Sequence, residues 1–192
     1  MTERGPRVRR VPPGDDRVRL VCPECHYVVY QNPLIVVGSV PVWQERILLC
    51  RRAIEPCRGL WTLPAGFMEE NETTLEGAAR EAHEEAGARI EVGDLLGLYQ
   101  LPRISQVHMF YRARLLSPEI AAGPESLEVA LFEWAEIPWP ELAFPTVRWA
   151  LADFDARRGQ SNFAPAGNPP NHPPGSEPVW SAGTPFPVPT PD

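Results

Sequence analysis

The stretch Gly66-Phe-Met-Glu-Glu-Asn-Glu72-Thr-Thr-Leu-Glu-Gly-Ala-Ala-Arg80-Glu81-Ala82-His-Glu84-Glu85-Ala-Gly87-Ala88 decides the fold of this chain. At about 100° per residue, with Glu81 at zero, Glu84 falls at about −60° and Glu85 at about +40°. Three carboxylates therefore share one flank of a helix. Leu75, Ala78, Ala79, Ala82 and Ala86 form a separate apolar stripe that is expected to face a core. Thr73-Thr-Leu-Glu76 has the form of a capping box, and Gly87 can end the helix with a positive φ. Acids this close repel one another unless a cation sits among them, and oxygen ligands suit Mg²⁺ first and Mn²⁺ next. An acidic helix face on its own usually just faces solvent. The spacing of the whole stretch must decide.

That spacing resembles the Nudix box, G-x5-E-x7-R-E-U-x-E-E-x-G-U, where U is aliphatic. Gly66, Glu72, Arg80, Glu81, Glu84, Glu85 and Gly87 fill every fixed position, and Ala82 and Ala88 fill the U positions. At average residue usage such a match arises by chance at ~10⁻⁸ per window. The resemblance implies an α+β fold, the Nudix-type α/β/α sandwich around a mixed sheet. It also implies Mg²⁺- or Mn²⁺-dependent hydrolysis of nucleoside diphosphates linked to another group. By the same resemblance Glu81, Glu84 and Glu85 hold metal, and the carbonyl of Ala65 adds an oxygen ligand. Arg80 orients a box glutamate, and Glu72 supports the loop–helix junction or assists the metal site. The chemistry suits these residue types, because metal ions screen the charge around phosphorus, acidify water and stabilise the leaving oxygen.

The chain has 192 residues and a net charge of −7. That length gives one domain of about 130–150 residues plus flanks. No run of about 18 apolar residues occurs, and the N-terminus lacks the apolar core of a signal peptide. A soluble, cytoplasmic protein without membrane attachment is expected. The acidic balance speaks against nucleic acid as a partner. Arg4, Arg7, Arg9, Arg10, Arg17 and Arg19 are expected to belong to an ordinary mobile terminus.

Cys50 reads as a core thiol, and Cys57 sits in a loop without an obvious partner. Cys22-Pro-Glu-Cys25 is a single zinc knuckle, where a complete ribbon needs two. Residues 12–25 resemble the second half of a ribbon that precedes some Nudix domains. In those relatives another C-x2-C lies upstream, where residues 2–10 hold no cysteine. His26 also replaces the glycine usual after the second cysteine. Zinc would need ligands from His26, Cys57 or another subunit, so a degenerate ribbon packing as a β-hairpin without zinc is expected.

Strands are expected over residues 34–42, 47–51, 90–101, 107–116 and 127–134, with a second amphipathic helix over 146–158. Residues 159–192 hold 10 of the 24 prolines and show no periodicity, so a disordered tail outside the active site is expected. Pro185-Phe-Pro-Val-Pro-Thr-Pro within it is expected to be solvated rather than docked in an aromatic groove. The division is therefore a basic arm and half ribbon over 1–33, a Nudix hydrolase domain over 34–158 and the tail over 159–192.

Tyr30-Gln-Asn-Pro33, Gly59-Leu-Trp-Thr-Leu-Pro-Ala-Gly66 and Pro124-Glu-Ser-Leu-Glu128 are similar to one ribbon-preceded Nudix group. Its plant members are similar to ADP-ribose and FAD pyrophosphatases. The leading expectation is hydrolysis of ADP-ribose, FAD or a related dinucleotide. Sanitation of oxidised nucleoside triphosphates is the enzymatic alternative, and a non-catalytic ADP-ribose-type sensor the other. The intact box glutamates favour an enzyme. Glu128, after a turn, is the candidate for activating water. Trp61 and Tyr99 are candidates for stacking a base, Arg51 and Arg52 for phosphate, and His108 is expected to be structural. The resemblance also points to a homodimer.

Overall fold

The structure, a computed structural model, describes residues 4–175. The chain divides into two compact units, Met1–Pro33 and Leu34–Asp192. In the first unit Val8–Arg10 (β1), Arg19–Val21 (β2) and Val28–Val29 (β3) make an antiparallel sheet in the order β1-β2-β3. The turn after β2 is closed by the Cys22 amide donating to the Tyr27 carbonyl at 2.8 Å and the His26 amide to Cys22 at 3.0 Å. Cys22 is buried and Cys25 exposed. Arg7 Nη1 donates to Glu24 Oε2 at 3.0 Å, and Arg10 Nη2 lies 3.2 Å from His26 Nδ1. Arg7 and Arg10 thus face the knuckle, whereas Arg19 pairs with Asp15.

The second unit is built on Leu34–Trp43 (β4), Arg46–Arg52 (β5), Trp61–Thr62 (β6), Ala65–Phe67 (β7), Ile90–Leu101 (β8), Gln106–Leu115 (β9) and Ser126–Phe132 (β10). The main path of this mixed sheet is β10-β5-β4-β9-β8, with β4 and β9 parallel. Side chains alternate between its faces. Val37, Leu48, Cys50, Tyr111 and Leu115 meet Ala78, Ala82 and Ala86 of the helix Thr74–Ala86 (α1). Val40, Ile47, Leu49 and Phe110 meet Val147, Trp149, Ala150 and Leu151 of the helix Pro145–Ala156 (α2). A helix on each face makes the α/β/α sandwich.

One feature of the sheet positions the site. β4 and β5 pair only at their hairpin end, Val42 with Ile47 and Trp43 with Arg46. Beyond that they part, and residues 61–67 fill the fork, with β6 on β5 and β7 on β4. Gly38 lies beneath this segment. A β-carbon there would stand 2.5 Å from Ala65 Cβ and 2.9 Å from the Pro64 carbonyl, so only glycine lets the chain cross.

The capping box at Thr73 and Glu76 forms, and Gly87 ends α1 at φ 58°. The apolar stripe is displaced from its expected position. Leu75 is 45% exposed, whereas Glu81 and Glu85 are buried beside Gly77, Ala78, Ala82 and Ala86. The acidic edge of α1 turns inward because it borders the cavity at the fork rather than open solvent.

The expectation of a disordered tail from residue 159 is corrected for its described part. The Ala166 amide donates to Leu96 and the Leu98 amide to Ala166, both at 2.9 Å. The Asn168 carboxamide satisfies both backbone groups of Gln100. These bonds cover an edge strand, β8, that would otherwise expose unpaired groups. So short a pairing has no periodicity to read in the sequence. The Pro185–Pro191 segment, like residues 1–3 of the arm, lies outside the described residues. Among the described residues no helix is long and apolar enough to cross a membrane.

Candidate active site

A cavity of about 820 Å³ opens at the fork. Ala65, Gly66 and Phe67 form one wall, and Glu81, Glu84 and Glu85 project from α1. Arg52 of β5, Glu125 before β10 and Phe144 and Thr146 at the start of α2 complete it. The loop comes unusually close to the helix. A β-carbon on Gly66 would stand 2.4 Å from Glu81 Oε1, so glycine at the head of the box keeps room for that carboxylate.

Arg80 ties the acids together. Its Nε and Nη2 donate to the two oxygens of Glu72 at 3.0 and 2.8 Å, a two-point pairing that suits a planar guanidinium. Nη1 donates to Glu81 at 2.7 Å and Glu84 at 3.0 Å, and Nη2 also reaches the Phe67 carbonyl at 3.0 Å. Hydrogen bonds from Arg80 hold the Glu72 carboxyl down at about 2. Glu72 in turn accepts from the Glu69 amide at 2.7 Å, which fastens the loop to the helix.

Glu81 and Glu85 lie deeper. Burial raises the Glu81 carboxyl above its ordinary value, against the pull of Arg80. Burial pushes Glu85 up to about 8, helped by the charge of Glu81 and opposed by Arg52 and the Ala65 amide. Glu85 Oε2 is buried without a hydrogen-bond partner. An orphaned, buried carboxylate oxygen facing a cavity with two further acids is a donor set that fits a hard divalent cation. Among the described residues no three carboxylates, imidazoles or thiols are gathered closely enough to hold an ion as they stand. Glu84 is engaged by Arg80 instead.

Of the residues singled out in the sequence, Arg52, Ala65, Arg80, Glu81, Glu84 and Glu85 line this one cavity. Four others, Arg51, Trp61, Tyr99 and Glu128, do not. Glu128 pairs with Arg51, its Oε2 3.5 Å from Arg51 Nη1, and neither lines the cavity. The cause is a bulge in β10, which sets Ser126 opposite Arg52 but Glu128 opposite Arg51. Without that extra residue Glu128 would face Cys50, whose thiol feels the charge of Glu85. Trp61 is core, edge-on to Phe132 with ring centroids 5.0 Å apart. Tyr99 is fully buried and donates to Asp153 Oδ2 at 2.7 Å, which leaves no face for a base.

Glu125 escaped the sequence reading. It lines the cavity from the turn before β10, and its charge acts on both Glu81 and Glu85. The usable signal was its place in a loop at a strand end, where functional side chains concentrate. Gln106, His108 and Thr146 also line the cavity and were passed over or read as structural.

Comparison with known proteins agrees with this architecture. A family model described as NUDIX domain matches residues 33–153, and one described as Nudix N-terminal matches residues 5–31. The crystal structure of a NUDIX hydrolase from Nitrosomonas europaea is 50% identical, with a TM-score of 0.78, over 84% of this chain and 93% of its own. The ADP-ribose pyrophosphatase of Methanocaldococcus jannaschii is 32% identical over 62% of this chain and 71% of its own length. The human 8-oxo-dGDP phosphatase NUDT18 is 38% identical over 50% of this chain, which spans only 31% of that longer protein. An ADP-ribose pyrophosphatase from Streptococcus suis, 21% identical with a TM-score of 0.59 over 71% of this chain and all of its own, shares the fold. Family match, fold and an intact box gathered around one cavity place this chain in the Nudix family, as a pyrophosphohydrolase acting on nucleotide-type small molecules.

Proposed function

We propose that the protein hydrolyses the diphosphate bridge of ADP-ribose or a related compound such as FAD, using Mg²⁺ or Mn²⁺. The observation that carries this is the unpartnered Glu85 oxygen, buried beside Glu81 in a cavity that also holds the Arg52 guanidinium. Glu81, Glu84, Glu85 and the Ala65 carbonyl are the groups that would hold the metal. Such an ion, when bound, screens phosphate charge and acidifies water.

The remaining work falls to the chain itself. Arg80 sets the orientation of Glu81 through a charged hydrogen bond and also holds Glu84, a contact that would open if that carboxylate held a cation. Glu125, which lines the cavity where Glu128 does not, takes a proton from the attacking water. Arg52, stacked at 5.0 Å over Phe144, adds positive charge beside the phosphates. The likeness to an archaeal protein named as an ADP-ribose pyrophosphatase supports the substrate class. A second reading, hydrolysis of oxidised nucleotides, has its own support in the 38% identity to an 8-oxo-dGDP phosphatase.

A panel of ADP-ribose, FAD and oxidised guanine nucleotides, with products identified by mass spectrometry, tests both. AMP with ribose 5-phosphate indicates ADP-ribose, and AMP with FMN indicates FAD. Selective turnover of oxidised guanine nucleotides alone would shift the assignment to the second reading.

A further inference from the structure

The acids line only part of the cavity. The part that β9 and the start of α2 contribute brings Phe110, Phe144 and Val147, with Leu101 and Ile104 also in the lining, and one row of polar groups. That row is Gln106, His108 and Thr146. His108 Nε2 lies 2.9 Å from Gln106 Oε1, and His108 Nδ1 lies 3.2 Å from Thr146 Oγ1.

The hydrogen-bond roles follow from the groups present. Burial lowers the His108 imidazole to about 4, so the ring is neutral, with one donor and one acceptor nitrogen. A carboxamide oxygen only accepts, so Nε2–H donates to Gln106 and Nδ1 accepts from the Thr146 hydroxyl. Both partners are then fixed, and among the described residues the Gln106 amide N–H pair is left for a ligand. Each link is a neutral group, so the row has no charge with which to attract phosphate.

Sheet register ties this row to the box loop. On β4, Val36 has His108 as its partner in β9 on one side and Phe67 in β7 on the other. Two strand spacings, about 10 Å, therefore separate the polar row from the loop that carries Gly66. That is a gap a ribose can bridge. An apolar slot with aromatic walls and one neutral donor edge suits a flat heterocycle better than a second sugar, whose hydroxyls would be left unpaired.

We propose that this part of the cavity is a nucleobase chamber, in which Gln106 determines specificity by donating to the base edge and His108 and Thr146 are positioning residues. The inference rests on the diphosphatase reading of the site. It identifies where that substrate's base is read and demands a base that offers acceptors.

The test is binding rather than turnover. AMP, GMP, UMP and ribose 5-phosphate are titrated into the full-length protein by calorimetry. The same titrations are run on Gln106→Leu, Gln106→Glu and Thr146→Val, each checked by its melting transition. One base is expected to tighten binding at least tenfold over ribose 5-phosphate. Gln106→Leu should reduce that advantage to threefold or less, and Gln106→Glu should change the order of preference among bases. Thr146→Val should reduce the advantage partially. Monophosphates that bind no tighter than ribose 5-phosphate, or a folded Gln106→Leu protein with the wild-type order intact, would overturn the chamber. Base-selective binding by a protein that cleaves no diphosphate would instead count against the hydrolase reading alone.

Discussion

Gly66 and Glu81 are in contact across the loop–helix junction: a β-carbon on Gly66 would meet both oxygens of the Glu81 carboxylate, at 2.4 and 2.5 Å. Gly66→Ala therefore has to displace that carboxylate, which Arg80 holds from the other side. The backbone itself is not blocked, so the fold should survive with a melting shift of a few degrees. Hydrolysis should fall by about 10- to 100-fold, because roughly 1 Å of misplacement suffices for that. Steady-state kinetics beside a melting curve separates the two effects.

Arg80→Ala should lower both stability and rate. It leaves Glu72, Glu81 and Glu84 without the donor they share. A loss of about 1–3 kcal/mol is expected from the stranded charges, measurable by urea unfolding. Arg80→Lys should recover little of it, since an ammonium cannot reproduce the two-point bond to Glu72.

Glu85 makes stability depend on pH. Its folded-state value of about 8 stands above its ordinary 4.5, so the folded protein keeps a proton that the unfolded chain gives up. Stability in EDTA should decline as pH rises from about 4.5 to about 8 and then level off. Glu85→Gln should flatten that decline, leaving the part due to Glu81, and gain about 1–3 kcal/mol at pH 8 and almost nothing near pH 4.5. Thermal melts across this range are the check. A wild-type curve rising through the interval would contradict the assignment.

Glu125→Gln and Glu128→Gln form a paired comparison. Loss of a general base lowers kcat by about 10²- to 10⁴-fold, and Glu125 should show it. Glu128 faces Arg51 outside the cavity, so its replacement should leave kcat within about twofold, the worth of an exposed ion pair. Equal losses in the two variants would remove Glu125 from the reaction.

Much of this was legible in the sequence, and the exceptions have physical causes. The box fixes its own helix because the cap at Thr73, the stop at Gly87 and the acid spacing are all local. The long strands and α2 fall within a residue or two of their expected ends for the same reason. Glu128 lies outside the cavity because a bulge inverts its face, and a bulge is a property of the pair of strands. Tyr99 and Trp61 look like free aromatic surfaces until α2 and β10 close over them. The Gln106–His108–Thr146 row joins β9 to α2 over 38 positions of chain. No local pattern announces a contact that the tertiary fold alone creates.

The most direct measurement is hydrolysis of ADP-ribose by wild type and Glu85→Gln, with products weighed by mass spectrometry, in Mg²⁺ and again in EDTA. The account predicts AMP and ribose 5-phosphate from wild type in Mg²⁺ only, and none above background from the folded variant. Turnover that survives both EDTA and Glu85→Gln would contradict it.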